Sequence, residues 1–180
     1  MWPFRKTMTV VQSGILKGMS DCHSHLLSGV DDGVQTLDES LEILATMERL
    51  GVRKVWLTPH VMEDIPNETT TLQGKFQELK RSYSGTLELV LAAEYMVDNL
   101  FEERLEKDDL LPLEEGQRYL LVETSYFSPP MGLLSILQRI QKKGYYPLLA
   151  HPERYEYMQK KDYKALKEEH ISFQLNVPSL

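Results

Sequence analysis

The sequence of 180 residues is poor in the features that mark secreted, membrane-embedded or disulfide-stabilised proteins. Cys22 is the only cysteine, which excludes an intrachain disulfide and any zinc site built from several cysteines. No apolar run approaches the roughly 18 residues of a membrane-spanning helix, and the opening segment MWPFRKTMTV lacks the apolar core of a signal peptide. We therefore expect a cytoplasmic protein without membrane insertion.

Positive charge is also scarce, since 20 Lys and Arg stand against 27 Asp and Glu, for a net charge of −7. An acidic surface repels a phosphate backbone, which argues against a nucleic-acid partner. The sequence contains neither a Gly-rich phosphate loop of the G-x-x-x-x-G-K type nor a G-x-S-x-G nucleophile elbow. It therefore lacks the usual motifs of nucleotide binding and of serine hydrolases. With 42% hydrophobic and 26% charged residues, the composition predicts one globular domain over residues 1–180.

Short β-rich runs alternate with longer amphipathic helical patterns, which predicts an α/β fold with a parallel sheet, either open or closed as a barrel. The predicted strands are the segment ending at DCHSH and residues 53–58, 87–93, 119–124, 147–150 and 171–175. The predicted helices are residues 37–50, 72–83, 133–143 and 161–169. We interpret the acidic segment 98–115 as a loop with one or two helical turns.

Histidine or glutamate follows each of the first five predicted strands at the point where the strand ends. These residues are His23 and His25 after the first strand, then His60, Glu94, Glu123 and His151 after the next four. Alternate side chains of a strand share a face, so both imidazoles of the H-x-H sequence point to one side. The carboxyl ends of parallel strands meet at one edge, so these residues are expected to lie close together. The alternative, that each one is separately a helix cap or a solvated strand end, is a poor explanation for all five strands. Imidazoles and carboxylates without a thiolate favour divalent Mn, Fe or Zn in a polynuclear hydrolytic site.

Two further positions could belong to such a site. Asp31, in the loop after the first strand, is a candidate oxygen ligand, while Asp32 and Gly33 have the composition of an ordinary turn. Arg154 follows the last of the five strands and could bind a phosphoryl or carboxylate group in bidentate fashion. The alternative for Arg154 is a surface ion pair with a neighbouring glutamate.

The remaining cysteine and histidine are interpreted as structural or surface residues. A cysteine phosphatase would need an arginine six positions after Cys22, where this sequence has Ser28, so we expect Cys22 to pack between its strand and a helix. His170 precedes the sixth strand at its amino end, away from the other histidines, and is predicted to lie on the surface.

Five segments taken together resemble the polymerase and histidinol phosphatase (PHP) superfamily: DCHSHLLSGVDDG, LTPH, AAEY, LVETS and LLAHPERY. Within it, they most resemble the bacterial tyrosine-protein phosphatases of capsular and exopolysaccharide biosynthesis, from about residue 19 to residue 180. The resemblance implies a distorted (β/α)7 TIM-like barrel and hydrolysis of phosphotyrosine on a partner protein, a bacterial tyrosine kinase. It also implies a centre of up to three divalent metals, usually assigned as Mn²⁺.

The resemblance further implies a role for each candidate site residue. His23, His25 and Glu94 would hold one metal, Glu94, Glu123 and His151 a second, Asp31 and His60 a third, and Arg154 would bind the phosphate. The family continues beyond the NVPSL-like segment to an Asp-x-His motif that supplies two more ligands, whereas this sequence ends at Leu180. We therefore expect the barrel and the site of the chain as given to be incomplete at the carboxyl end, with pairing of two copies as one way to cover the exposed strand edge.

Other functions remain as alternatives to a tyrosine phosphatase. One is a related hydrolase, such as a histidinol-phosphate phosphatase or an amidohydrolase, although an amidohydrolase would usually carry a lysine where this sequence has Glu123. Another is a non-catalytic fragment or kinase-binding module, which the missing Asp-x-His motif favours and the intact earlier ligands disfavour.

Overall fold

The structure, a computed structural model, describes residues 9–114 and 116–179. Most of the opening segment, for which the sequence predicts no signal peptide, lies outside the described residues. The helices are α1 (Val10–Ser13), α2 (Leu37–Arg49), α3 (Thr69–Ser82), α4 (Asn99–Lys107), α5 (Leu133–Lys142) and α6 (Lys160–Glu168). The strands are β1 (Ser20–Ser24), β2 (Lys54–Leu57), β3 (His60–Val61), β4 (Glu88–Leu91), β5 (Glu94–Met96), β6 (Leu113–Glu114), β7 (Arg118–Glu123), β8 (Tyr146–Ala150) and β9 (Ser172–Gln174). No helix in the described ranges is long and apolar enough to cross a membrane.

The strands form two parallel sheets that continue one into the other. One sheet has the order β1-β2-β4, and the second has the order β3-β5-β7-β8-β9, with β6 antiparallel to β7. Two predicted strands are each broken by a bend, at Thr58-Pro59 between β2 and β3 and at Ala92-Ala93 between β4 and β5. Backbone hydrogen bonds continue across both bends, since Ala92 N donates to Leu57 O (2.9 Å) and Glu94 N donates to Pro59 O (3.0 Å).

The six predicted strand regions therefore follow one another in space in the order of the chain, as in a barrel. The predicted α/β class with parallel sheets is confirmed. A closed barrel is not found, because within the described ranges no backbone pairing joins the outer strands β1 and β9. All the parallel strands nevertheless point the same way, so their carboxyl ends line one edge of the molecule.

Alternating side chains divide the interior into two clusters. Leu120 and Val122 of β7 belong to a large cluster that also holds residues of the helices, while Leu121 between them faces a small cluster around Trp56. Cys22 packs against this small cluster, which contains no helix residue, so its predicted packing against a helix is wrong. The helices thus cover one face of the strands only.

The prediction of a loop with one or two helical turns over residues 98–115 underestimates the helix, because the nine-residue α4 occupies half of this segment. Asp98 caps the helix by accepting a hydrogen bond from Phe101 N (2.9 Å). Phe101 and Leu105, one turn apart, are both completely buried and anchor the helix to the core. The many charged residues of α4 hide this narrow apolar stripe in the sequence.

Candidate metal centre

Glu94, the first residue of β5, is the centre of a buried cluster of histidines. Its Oε2 atom lies 3.0 Å from His23 Nε2, 3.3 Å from His25 Nε2 and 3.2 Å from His60 Nδ1. Its Oε1 atom lies 2.9 Å from His151 Nε2, and the Glu94 side chain is 0% exposed. The edge of the sheet therefore brings four imidazoles from β1, β3 and β8 and their following loops around a single carboxylate.

Glu123, at the end of β7, completes the cluster. Its Oε1 atom lies 3.0 Å from His60 Nδ1, and its Oε2 atom lies 3.7 Å from His151 Nε2. The atoms His60 Nδ1, Glu94 Oε2 and Glu123 Oε1 are all buried, yet none makes a hydrogen bond of good geometry with the described residues. Buried polar atoms almost always have such partners, so three of them converging without one fit a bound cation.

Three groups of side chains have ligand atoms within 4.8 Å of one another and could each hold a metal ion. They are His23, His25 and Glu94, then His60, Glu94 and Glu123, and finally His25, Asp32 and His60. Imidazole nitrogens and carboxylate oxygens are donors that suit divalent Mn, Fe and Zn. Three residues, Glu94, His25 and His60, each belong to two of these groups. The donor set therefore fits a polynuclear centre.

The two aspartates of the loop after β1 have different surroundings. The side chain of Asp31 is completely buried, and its Oδ2 atom lies 2.8 Å from His25 Nδ1 and accepts the backbone N–H of His60 (3.0 Å). Its Oδ1 atom accepts the backbone N–H of Gly33 (2.9 Å). Asp32 is 78% exposed and places Oδ1 3.6 Å from His60 Nε2. The oxygen that faces the possible metal position is therefore that of Asp32, whereas Asp31 orients the histidines from behind.

His151 and Arg154 lie on the turn that follows β8. His151 has a left-handed backbone (φ 30°), which is uncommon for a residue with a side chain, and directs its ring toward Glu94. It belongs to none of the three groups above, although its Nδ1 atom is buried without a hydrogen-bond partner in the described residues. The Arg154 side chain is exposed and forms no ion pair with any residue that the structure describes, so the alternative of a surface pair with a neighbouring glutamate is not observed.

Arg154 lines a cavity of about 230 Å³ that opens from the cluster to the surface. The other lining residues are His23, His25, Asp32, His60, Glu94, Tyr126, His151 and Asn176. Tyr126 and Asn176 were not expected from the sequence, and neither follows a residue pattern that marks a site. The cavity joins a group of possible metal ligands to a free guanidinium, which is the arrangement needed to bind an anion beside a metal.

Electrostatic coupling within the cluster changes the protonation of its members in the metal-free protein. Burial alone would lower the pKa of His25, but the hydrogen bond to Asp31 and the close contact with the Glu94 carboxylate outweigh it and raise the pKa to about 10. Burial alone would raise the pKa of Glu94, but the hydrogen bond with His151 and the close contacts with His23 and His25 hold it well below its usual range. The metal-free cluster is thus held together by protonated imidazole and ionised carboxylate.

Comparisons with known proteins bear on this cluster. A sequence model of the family described as "Capsular polysaccharide synthesis, CpsB/CapC" matches residues 19–180. Tyrosine-protein phosphatase CpsB of Streptococcus pneumoniae is 33% identical over 144 residues, which cover 77% of this chain and 58% of that protein. Tyrosine-protein phosphatase YwqE of Bacillus subtilis (strain 168) is 29% identical over 140 residues, which cover 76% of this chain and 55% of that protein.

A solved structure has the same fold over most of the chain. It is described as YwqE from Bacillus subtilis and CpsB from Streptococcus pneumoniae, "unique metal-dependent tyrosine phosphatases". The TM-score is 0.79 at 27% identity, and the match covers 87% of this chain and 66% of that one. The chain spans little more than half the length of the two curated relatives described above. With the family match extending from residue 19 to residue 180, the chain belongs to the CpsB/CapC family of capsular polysaccharide synthesis.

Proposed function

We propose that this chain carries a metal-dependent phosphatase centre that hydrolyses phosphotyrosine on a protein, with a bacterial tyrosine kinase of capsular or exopolysaccharide synthesis as the substrate partner. The observation that carries the proposal is the set of buried atoms of His60, Glu94 and Glu123 that converge without a hydrogen bond of good geometry in the described residues, in the cavity that Arg154 lines. The names of the relatives, tyrosine-protein phosphatases, and the metal dependence stated for the solved structure support it.

The proposed cofactor is Mn²⁺, with Fe or Zn as alternatives, and up to three ions in the complete site. We assign His23, His25 and Glu94 to one ion, Glu94, Glu123 and His60 to a second, and His25, Asp32 and His60 to a third, with His151 beside Glu94. When bound, such cations supply positive charge to the phosphoryl oxygens and acidity that activates a water molecule. This assignment gives Asp31, first expected to be a ligand, the role of orienting His25.

The protein's own groups bind and orient the substrate in this proposal. Arg154 holds the phosphoryl group through paired N–H donors and neutralises the charge that develops on its oxygens. The half-exposed ring of Tyr126 at the cavity wall contacts the aromatic ring of the substrate. Cys22 does not line this cavity, and burial together with the charge of Asp21 raises the pKa of its thiol, so it is not the nucleophile.

The wider setting of the site is part of the same proposal. We assign residues 1–180 to one phosphatase domain whose strands belong to a distorted (β/α)7 barrel, which the sequential strand order and the similarity to the solved structure support. We place the protein in the cytoplasm and allow for pairing of two copies.

A substrate comparison tests the proposed function. Chelator-treated protein is supplied with Mn²⁺, Fe²⁺ or Zn²⁺, and phosphate release is measured from a phosphotyrosine peptide, a phosphoserine peptide and histidinol phosphate. The proposal predicts metal-dependent release that is fastest from the phosphotyrosine peptide. Preference for histidinol phosphate would favour a different phosphoesterase of the superfamily, and metal binding without hydrolysis of any ester would favour a non-catalytic kinase-binding module.

A further inference from the structure

Gln174 connects β1 and β9, the first and last strands in the order of the two sheets. It is the last residue of β9, only 7% exposed, and its side chain reaches across the side of the molecule where β9 and β1 are not paired. Its Oε1 atom lies 2.8 Å from His23 Nδ1 and accepts the backbone N–H of His151 (3.1 Å). One amide oxygen thus contacts two residues of the candidate metal centre.

The backbone N–H of His151 fixes the orientation of this amide. A backbone N–H can only donate, so the atom that faces it must be the carbonyl oxygen of Gln174 and not its NH₂ group. The NH₂ group then points the other way and donates to Asn176 Oδ1 (2.9 Å), which is consistent with the same orientation. The oxygen assignment therefore follows from the backbone N–H of His151.

The orientation of the amide in turn determines the tautomer of His23. Because His23 Nδ1 faces an oxygen that can only accept, Nδ1 must carry the hydrogen, and in the neutral ring Nε2 keeps its lone pair. Nε2 is the atom that points into the cluster, 3.0 Å from Glu94 Oε2. Asp31 makes the equivalent contact with Nδ1 of His25, so both imidazoles of the H-x-H sequence present Nε2 to the same carboxylate.

We infer that Gln174 is a positioning residue of the metal centre, which holds His23 in its metal-binding tautomer and ties it to the backbone of His151. The inference rests on the proposed function in that it takes the cluster to be a metal site. Partners behind a ligating histidine typically contribute 10- to 100-fold to metal affinity. Gln174 would therefore be required for tight metal binding although it contacts no metal.

Substitution of Gln174 provides the test, with Mn²⁺ as the probe. Calorimetric titration of Gln174→Leu should show Mn²⁺ affinity lower than wild type by about 10- to 100-fold. Gln174→Glu, which keeps an acceptor oxygen, should recover most of the affinity. The matched control is Gln138→Leu, since Gln138 is a half-buried glutamine on α5 that donates to Glu169 and lies outside the site.

The tautomer of His23 supplies a readout that does not depend on metal. Long-range ¹H–¹⁵N spectra of the metal-free protein should show a hydrogen on Nδ1 of His23 in wild type and a lower occupancy of that hydrogen in Gln174→Leu. Equal Mn²⁺ affinity in wild type and Gln174→Leu, or an Nε2–H form of His23 in wild type, would overturn the inference. If wild type bound no metal, the proposed function would fail, and the wild-type spectrum would still decide the role of Gln174 even if Gln174→Leu did not fold.

Discussion

Asp31 supports His25 from behind: Asp31 Oδ2 lies 2.8 Å from Nδ1 of His25, on the side of the ring that faces away from Glu94. The same oxygen accepts the backbone N–H of His60. A buried carboxylate with three such contacts has its pKa lowered by those hydrogen bonds despite the opposing effect of burial. Asp31 therefore belongs to the folded framework of the site, while the neighbouring Asp32 projects into the cavity.

Substitution of the two aspartates should separate these roles. Asp31→Ala removes a buried acceptor of three hydrogen bonds, so we expect the free energy of unfolding in urea to fall by about 1–3 kcal/mol or more. Asp32→Ala alters a side chain that is mostly exposed, so the free energy of unfolding should change by less than about 0.5 kcal/mol. The same substitution should weaken metal binding. Equal destabilisation by the two variants would contradict the assignment.

The raised pKa of His25 predicts a pH dependence for the metal-free protein. The pKa rises from 6.5 to about 10 because the hydrogen bond to Asp31 and the close contact with the Glu94 carboxylate outweigh burial. Since the folded value is the higher one, the stabilisation is complete below pH 6.5 and is lost as pH rises through about 10. The free energy of unfolding, measured in the presence of a chelator, should therefore fall across this range.

The control for this prediction is His25→Gln, which cannot titrate at this position. Its free energy of unfolding should depend less on pH than that of wild type between pH 6.5 and about 10. If the two proteins show the same pH dependence, the protonated His25 does not stabilise the metal-free fold.

Arg154→Ala should slow phosphate-ester hydrolysis without changing metal content. A charged hydrogen bond to the substrate in the transition state is worth about 2 kcal/mol or more, which corresponds to about a 30-fold loss in kcat/KM. Arg154→Lys should recover only part of this loss, since an ammonium cannot form the paired contacts. Arg49→Ala, at an exposed arginine of α2, is the control and should match wild type on p-nitrophenyl phosphate. Equal rates for all the proteins would remove Arg154 from the mechanism.

Thr36→Ala should destabilise the fold without affecting the site. Thr36 and Glu39 form a capping box at the start of α2, in which each side chain binds the other's backbone N–H. Loss of the cap should lower the free energy of unfolding by about 1 kcal/mol. Thr46→Ala, farther along the same helix, should change it by less than about 0.5 kcal/mol. A thermal or urea unfolding series on the two variants checks the difference.

The convergence of the site residues could be predicted from the sequence, because parallel strands end at one edge. His60, Glu94 and Glu123 each follow an apolar run, and the structure places their ligand atoms within 4.8 Å of one another. The bends at Thr58-Pro59 and Ala92-Ala93 could not be predicted, because they depend on how neighbouring strands pair. Their effect is to move His60 and Glu94 into a second sheet without breaking the order of the strands.

The supporting contacts were beyond sequence reasoning for a different reason. Asp31 and Asp32 are adjacent and chemically identical. Only the path of the loop therefore decides which side chain is buried behind His25 and which one faces the cavity. Gln174 also ends a strand, as the candidate ligands do, but glutamine is a poor metal ligand. Its contact with His23 is visible only in the structure. The length of α4 was underestimated because only Phe101 and Leu105 of its buried residues are apolar.

The content of bound metal tests the central claim most directly. Purified protein is stripped with chelator, reloaded with Mn²⁺, desalted and assayed for metal per chain by elemental analysis, with Glu94→Gln treated in parallel. Because Glu94 contacts four imidazoles, we predict at least one ion per chain in wild type and a clear loss in Glu94→Gln. Wild-type protein that is folded by circular dichroism and retains no metal would contradict the account.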